Sequence, residues 1–240
     1  LAKLQWIDLR ANPNLAKAEV VKLQKALPYC SIIEDLLSGS ERIEVHIHKQ
    51  AKKPEGELTK SDLERVEKIS LPSSGITEIS TLARLTKLKD LHLGNNQITD
   101  LTPLAELEKL GILILHDNKI TDLTALARLT KLETLYLYSN RIKDLTGLSG
   151  LRELKGLHLH NNQITDLTPL AKLTKLQSLD LRANPNLAKA EVVKLQRALP
   201  ECSITEDLLS GSERIEVHIR QQTKKPEGEL TKSDLERVEK

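Results

Sequence analysis

Leucine and isoleucine return at fixed places along the chain in units of 22 residues. The unit that starts at Leu85 reads LTKLKDLHLGNNQITDLTPLAE, and further units start at Leu63, Leu107, Leu129, Leu151 and Leu173. Within a unit, an L-x-L step points two leucines to one face of a strand and the residues between and beside them to the other. The pattern therefore predicts one short strand per unit, with a leucine-lined face and a variable face.

An asparagine follows the L-x-L step at a fixed distance in the repeated frame. In the unit that starts at Leu85 it is Asn96, whereas the variant unit that starts at Leu63 has Ser74 in this place. The chain must turn here, and an inward-pointing amide can satisfy backbone groups that no strand ladder reaches. One unit cannot bury its leucines alone, so the units are expected to stack into a continuous core. The equivalent residues of the next units are Asn118, Asn140 and Asn162.

This frame resembles the leucine-rich repeat family, whose pattern is LxxLxLxxN followed by an apolar residue. The short 22-residue form is similar to bacterial internalin-like repeats. The resemblance implies an α/β repeat solenoid: a curved array with a parallel concave sheet, a helical N-terminal cap and a helix-plus-strand C-terminal cap. It also implies a non-enzymatic binding role and favours a location on the bacterial cell surface or outside the cell.

A second, longer period of 172 residues is superimposed on the first. Residues 1–68 reappear as residues 173–240 with nine differences, among them Trp6/Ser178 and His48/Arg220. In the first copy, residues 15–28 have helical periodicity, and residues 30–33 and 42–48 are predicted as short strands. In the second of these segments apolar and polar positions alternate. Thr59 followed by Asp62 predicts the start of a short capping helix.

The two periods together predict how the chain is divided. Residues 1–49 are interpreted as the C-terminal end and cap of one repeat module, and residues 50–57 as a polar linker rich in Pro and Gly. Residues 58–222 then form a complete module, residues 223–229 a second linker, and residues 230–240 the N-terminal cap helix of a following module. The chain is thus interpreted as part of a tandem super-repeat.

Composition narrows the classes of function. Lys plus Arg is 36 and Asp plus Glu is 34, which leaves a net charge of +2, too little for an electrostatic nucleic-acid binder. Aromatic residues make up 2% of the chain, so we expect no base-stacking platform. The longest apolar runs are too short for membrane insertion. No catalytic motif is present, and the histidines lack the partners of a metal site, so we expect no cofactor.

The variable face of the predicted sheet carries the candidate binding site. Tyrosine is favoured at interfaces, and a contiguous exposed apolar patch indicates a partner. The alternative is that cross-strand pairs of these residues only stabilise the sheet. We expect a protein partner, with a glycan as the second choice, to contact the following residues: His92, Ile112, Ile114, His116, Tyr136, Tyr138, His158, His160, Asp180 and Arg182.

A structural role is the alternative function. An open strand edge binds other strands, and a short helix with nothing to pack on is marginally stable in water. The predicted helix in residues 231–240 could cover the leucine edge near Leu1 of another copy, which would produce self-association at the chain ends. In this interpretation the chain is a subunit or segment of a fibre or tandem-repeat polymer.

Overall fold

The computed structural model describes residues 6–9, 15–27, 31–33, 37–53, 56–208, 211–224 and 230–231. Its main feature is a parallel sheet in which each strand pairs with the next strand along the chain. A separate pair, β1 (Trp6–Asp8) and β2 (Ser31–Ile33), precedes it and is also parallel. The sheet contains, in order, β3 (Lys68–Ser70), β4 (Asp90–His92), β5 (Ile112–Ile114), β6 (Thr134–Tyr136), β7 (Gly156–His158), β8 (Ser178–Asp180) and β9 (Ser203–Thr205).

The strand register repeats the sequence register. The central leucines of adjacent strands pair directly: Leu91 pairs with Leu113, and Leu113 pairs with Leu135. These leucines are fully buried, whereas the residues on either side of them in β4 to β7 are partly exposed. The predicted strand in each unit, with one leucine-lined face and one variable face, is confirmed. The α/β repeat solenoid is confirmed with it.

Short 3-10 helices close most of the repeats on the side opposite the sheet. In the full repeats an aspartate two residues upstream fixes the start: Asp100 Oδ1 accepts a hydrogen bond from the Thr102 backbone N–H at 2.8 Å, and Asp122 does the same for Thr124. The apolar residue in the middle or at the end of each helix is buried, so the helices seal the leucine core from that side. They span Ser80–Arg84, Thr102–Leu104, Thr124–Arg128, Thr146–Leu148 and Thr168–Leu170.

The repeated asparagine side chains form a buried ladder that links each repeat to the one before. Asn118 Oδ1 accepts a hydrogen bond from the Ile98 backbone N–H at 2.9 Å. Its Nδ2 donates to the backbone oxygens of Leu93 at 3.0 Å and of Leu115 and His116 at 3.1 Å each. One side chain thus pairs four backbone groups in two repeats. The same pattern holds at Asn96, Asn140, Asn162 and Asn184.

The residue before each asparagine of the ladder, and before Ser74 in the variant unit, adopts a left-handed backbone conformation, with φ between 51° and 56°. This conformation costs an L-residue roughly 1–2 kcal/mol, and Asn and Asp tolerate it best after Gly. It turns the chain sharply at the end of the strand and directs the next side chain inward. The residues are Ser73, Asn95, Asp117, Ser139, Asn161 and Ala183.

Helices precede and follow the array along the chain. After β8 the chain forms helix α4 (Lys189–Ala198), strand β9 and helix α5 (Gly211–Thr223). Before the array lie α1 (Lys17–Ala26), α2 (Gly39–Gln50) and α3 (Lys60–Glu64). The predicted capping box at α3 is confirmed, because the side chains of Thr59 and Asp62 each bond the other's backbone N–H, at 3.3 and 2.9 Å. The predicted helix-plus-strand cap after the array is confirmed by α4 and β9.

The strand predicted at residues 42–48 is wrong, because these residues lie within helix α2. The alternation of Ile43, Val45 and Ile47 suggested a strand, but Ile43 and Ile47 are also four residues apart and share one face of a helix. Both are fully buried. A capping box starts the helix: the Ser38 side chain accepts from the Glu41 N–H, and the Glu41 carboxylate accepts from the Ser38 N–H at 2.9 Å. The copy of this segment is also helical, in α5.

Helix α2 covers the first strand of the array. Ile43, Ile47 and Ala51 belong to the same buried cluster as Val66 and Ile69, which start the repeat core. The division of the chain into modules and linkers stays a prediction, with residues 54–55 and 225–229 outside the described part. The helix predicted in residues 231–240 falls on residues that are almost all outside it, so self-association there also stays a prediction.

The asparagine ladder can be tested with Asn118→Leu, which keeps a similar volume and removes the amide. The Ile98 N–H is then left unpaired in the core, at about 1–3 kcal/mol. The Leu93 and Leu115 oxygens each lose one of two amide donors and keep Asn96 and Asn140, respectively. We expect a large drop in the free energy of unfolding, measured by urea denaturation. Lys119→Leu, at the exposed neighbouring position, is the control. Equal stability of the two variants would contradict a structural role for the amide.

Helix α2 is expected to make the stability depend on pH through His46. Burial, with a smaller effect of Lys49, lowers the pKa of His46 to about 4. The unfolded chain, with an ordinary pKa near 6.5, binds the proton first, so stability is full above that value and falls as the pH drops toward 4. Between pH 7 and pH 4.5 the parent should lose about 2–3 kcal/mol more unfolding free energy than the His46→Gln variant.

The exposed copy of this residue provides the control. His218 occupies the same place in α5 and is exposed. His218→Gln makes the same substitution where no imidazole is buried, and its urea unfolding is measured at the same pH values. If His46→Gln and the parent lose the same stability on acidification, burial of the neutral imidazole is not the cause.

Candidate functional site

All ten residues of the predicted binding site lie on the variable face of the sheet or directly after it. The strand register brings His92, Ile114, Tyr136, His158 and Asp180 into one row across β4 to β8. His116, Tyr138, His160 and Arg182 form a second row two residues further along, where the strands end. Ile112 starts β5 and borders the first row. The sequence rows and the structural rows are the same.

Burial differs along the site. All the histidine, isoleucine and tyrosine residues of the site are half-buried, so each presents part of its surface to solvent. Asp180 is buried, with 8% of its surface exposed, and Arg182 is exposed. Side chains on adjacent parallel strands are about 4.8 Å apart, which is close enough for aromatic rings to stack. The site is therefore a continuous surface of packed side chains.

Tyrosine and histidine rings stack across the strands. The rings of Tyr136 and His158 are parallel, with centroids 4.3 Å apart. Tyr138 lies between two imidazoles, with centroids 4.5 Å from His116 and 4.3 Å from His160. The two tyrosines meet edge to face at 6.5 Å, which joins the two stacks. Such contacts add about 0.5–1.5 kcal/mol each beyond the area they bury, so the rings hold one another in place.

The stack of the second row begins above Gly94. A Cβ atom at this position would lie only 2.4 Å from His116 Nε2, so the imidazole occupies the space that a side chain would fill. His116 Nδ1 also lies 2.9 Å from Asp117 Oδ2, which fixes the ring from its other side. The missing side chain at Gly94 thus allows the stack to extend over β4.

A charged group closes the other side of the face. Arg182 donates to both carboxylate oxygens of Asp180, from Nε at 3.0 Å and from Nη2 at 2.6 Å. His160 Nδ1 lies 3.1 Å from Asp180 Oδ2. Burial raises the pKa of Asp180, but the hydrogen bonds from Arg182 and the charges of His160 and Arg182 outweigh it, so the net pKa is lowered. The carboxylate is therefore ionised and neutralised by its neighbours.

Three stretches of the chain match the family model described as leucine rich repeats (2 copies), at residues 64–106, 109–150 and 152–194. These stretches make up more than half of the chain, and they contain every strand that carries the predicted site, from β4 to β8. The chain belongs to the leucine-rich repeat family.

Solved structures support the same family and the bacterial internalin type of repeat. Internalin C2 from Listeria monocytogenes is 30% identical with a TM-score of 0.56, over 72% of this chain and 87% of that one. The internalin InlF from the same organism is 27% identical with a TM-score of 0.58, over 74% of this chain and 59% of that one. A leucine-rich repeat protein from Leptospira interrogans, 22% identical with a TM-score of 0.55, covers 85% of this chain and 61% of its own and shows the fold alone. Among curated proteins, none matches the sequence.

The leucine-rich repeat face favours the neutral forms of His92, Tyr138 and His158. Burial lowers the pKa of His158 and, together with Lys68, that of His92. Burial also raises the pKa of Tyr138, and the nearby Asp117 carboxylate raises it further. Uncharged rings stack without the cost of burying a charge. Near neutral pH these three rings are therefore uncharged.

The face offers aromatic, apolar and charged side chains for contact. In the described part of the chain no group of three or more His, Cys, Asp or Glu residues could hold a metal ion. Within the same residues, no helix is long and apolar enough to cross a membrane. Repeat arrays of the internalin type are protein-binding scaffolds.

Two contributors to the site lie outside the ten predicted residues. Asp117 was missed although it directly follows His116, because its place in the repeat marks a turn residue and its side chain was not assigned to the face. Gly94 has no side chain and offers no contact chemistry in sequence. Its empty position in the row, next to a bulky histidine in the next repeat, was the available signal.

The space above Gly94 leads to a test of the ring stack. In Gly94→Ala, the new Cβ should push the His116 imidazole away from Tyr138. The clash involves only the end of a flexible side chain, so we expect the melting temperature to change by no more than a few degrees. The Tyr138 ring-proton shifts, measured by NMR, should move because one stacked ring is lost.

Gly111→Ala is the matched control for this variant. A Cβ at Gly111 would have only ordinary contact, 3.9 Å from the Lys89 backbone oxygen. This substitution should leave the Tyr138 ring shifts unchanged. If both variants leave these shifts unchanged, the stack over Gly94 does not exist in solution.

Proposed function

We propose that this chain is a non-enzymatic scaffold that binds a protein partner through the concave face of its leucine-rich repeat array. The stacked rings of Tyr136 and Tyr138 with their histidines carry this proposal. They place half-buried aromatic side chains in the middle strands of the sheet, where a partner would exclude water most completely. Interface residues that contribute most binding energy are enriched in tyrosine and lie near the centre of the contact.

Ile112 and Ile114 extend the aromatic centre on the neighbouring strand. Both point to the variable face and are half-buried, although neither belongs to the leucine core. Exposed isoleucine next to stacked rings gives a continuous apolar patch, which is uncommon on a surface without a partner. The ion pair of Asp180 and Arg182 then forms a polar border. This arrangement fits a protein surface with an apolar centre and hydrogen-bonding groups around it.

The ring geometry favours a protein over a glycan. A sugar is bound by laying its apolar face on a free aromatic face. Both faces of Tyr138 are covered by imidazoles, and one face of Tyr136 is covered by His158. The edges and hydroxyls of the rings remain for contact, which suits peptide groups and apolar side chains. By its similarity to the internalins of Listeria monocytogenes, the scaffold is proposed to act at the bacterial surface or outside the cell.

Affinity capture with two variants tests the proposal. Immobilised parent protein, Tyr136→Ala/Tyr138→Ala, and Glu106→Ala/Arg128→Ala are exposed to the same extract of the organism that encodes the chain. The second pair removes an ion pair, 2.6 Å long, on the helical side of the array. Bound proteins are identified by mass spectrometry, and the affinity of each is measured with purified components by surface plasmon resonance.

The expected result is a partner that binds the parent and the helical-side variant with similar affinity and the tyrosine variant far less tightly. Loss of two central aromatic residues should weaken binding by at least about a hundredfold. Melting curves establish that the tyrosine variant is folded. A partner that binds the folded tyrosine variant as tightly as the parent contradicts the concave site.

A further inference from the structure

Helices α2 and α5 are copies of one sequence in two environments. Ile43 of α2 is fully buried, whereas its equivalent Ile215 of α5 has 63% of its surface exposed. Within the described residues, Ile215 is the large apolar side chain that stands out as exposed. The two helices differ at only three of the thirteen positions from Gly39 and Gly211 onward. The difference in exposure therefore comes from what lies against each helix.

The surface that covers α2 is the first coil of the leucine-rich repeat array, by which we mean residues 69–85. The helix packs against strand β3 and the 3-10 helix Ser80–Arg84. A Cβ at Gly39 would lie 2.7 Å from Ile76 Cα, so the start of the helix touches the array backbone. Glu44 forms an ion pair with Arg84 of the array. The contact thus combines close backbone packing, a buried isoleucine face and one charge pair.

Helix α5 keeps the same support on its other side. α5 packs against α4 as α2 packs against α1. Gln221 Nε2 donates to the Gln196 backbone oxygen at 3.0 Å, and Lys189 pairs with Glu213 at 3.2 Å. Glu216, the equivalent of Glu44, pairs with Arg220 of its own helix at 2.7 Å, at the position where His48 lies 3.5 Å from Glu44 in α2. The helix is therefore held in place while the face that carries Ile215 points away from its support.

We propose that the exposed face of α5 is a docking site for the first coil of another leucine-rich repeat array, one with the sequence of residues 69–85. The contact between α2 and the array in this chain is the template. Ile215 would be buried as Ile43 is, and Glu216 would leave Arg220 for the arginine equivalent to Arg84. This site is separate from the concave face, and its partner is another repeat array.

The partner array must have a first strand that no other helix covers. In this chain β3 is already covered by α2, which is tethered next to it and has a high effective concentration. A second copy of the whole chain would have to displace its own α2, with no net gain of buried surface. The site therefore selects an array that follows α5 in the same polypeptide, so that two arrays share one helix between them.

An extended protein tests this directly. The full chain is lengthened by a second copy of residues 69–222 after Lys240, and amide hydrogen exchange of α5 is compared between the parent and the extended chain. We expect α5 amides to exchange at least about tenfold more slowly in the extended chain, because covered helices open less often. Equal exchange rates in α5 of the two chains would overturn the proposal.

Substitutions separate docking from a general effect of length. Ile215→Asp should leave exchange in the parent array unchanged and abolish the slower exchange of α5 in the extended chain. Gln222→Asp, at a position exposed in both helices, should change neither protein. Ile43→Asp in the parent should speed exchange of α2 and β3, which shows what losing this contact looks like. If Ile215→Asp has the same effect in both chains, the added array does not cover α5.

A charge exchange identifies the orientation of the contact. In the extended chain, Glu216→Arg should speed exchange in α5, and replacing the arginine of the added array that is equivalent to Arg84 by Glu should restore it. Rescue by the second substitution requires the two side chains to be partners. Additive losses without rescue would show that the array does not dock on α5 as the first array docks on α2.

Discussion

The buried asparagine ladder is the constraint on which the rest of this structure depends. Each strand of the array is only three residues long, and each strand from β3 to β8 is followed by a turn in a left-handed conformation. Such a turn leaves backbone N–H and C=O groups inside the core with no strand partner. The amide of one asparagine satisfies groups of its own repeat and of the repeat before, as Asn140 does for Leu137, Leu115 and Ile120. The ladder thus sets both the turn and the spacing between repeats.

Because the ladder and the leucines fix the interior, the outward positions are free to differ. Stability comes from groups that point inward, and the residues between the leucines contribute mainly to the variable face. Tyr136, Tyr138 and their histidines use this freedom to form a preorganised ring surface. A stacked ring loses little conformational freedom when a partner binds, which reduces the entropic cost of association. The fold and the proposed binding surface are therefore carried by different residues on the same strands.

The sequence was sufficient for the parts of the structure that follow from periodicity. The leucine frame predicted every strand from β3 to β8, and the outward rows predicted which site residues lie side by side. Helix α2 was misread because Ile43, Val45 and Ile47 satisfy a period of two, while the deciding contact, burial of Ile43 and Ile47 by the next array, is distant in sequence. The ring stacks depend on side-chain orientation, and on the space left at Gly94, which no pattern of polarity encodes.

The central claim, that the asparagine amides hold the repeats together, is tested most directly by native-state hydrogen exchange of particular backbone amides. The N–H groups of Ile98, Ile120, Ile142 and Ile164 donate to asparagine side chains of the following repeat. If the ladder is structural, these four amides exchange only when the array unfolds, as slowly as the strand amides beside them and with the same dependence on denaturant. Exchange of these amides through small local openings, while the strands remain protected, would contradict the account.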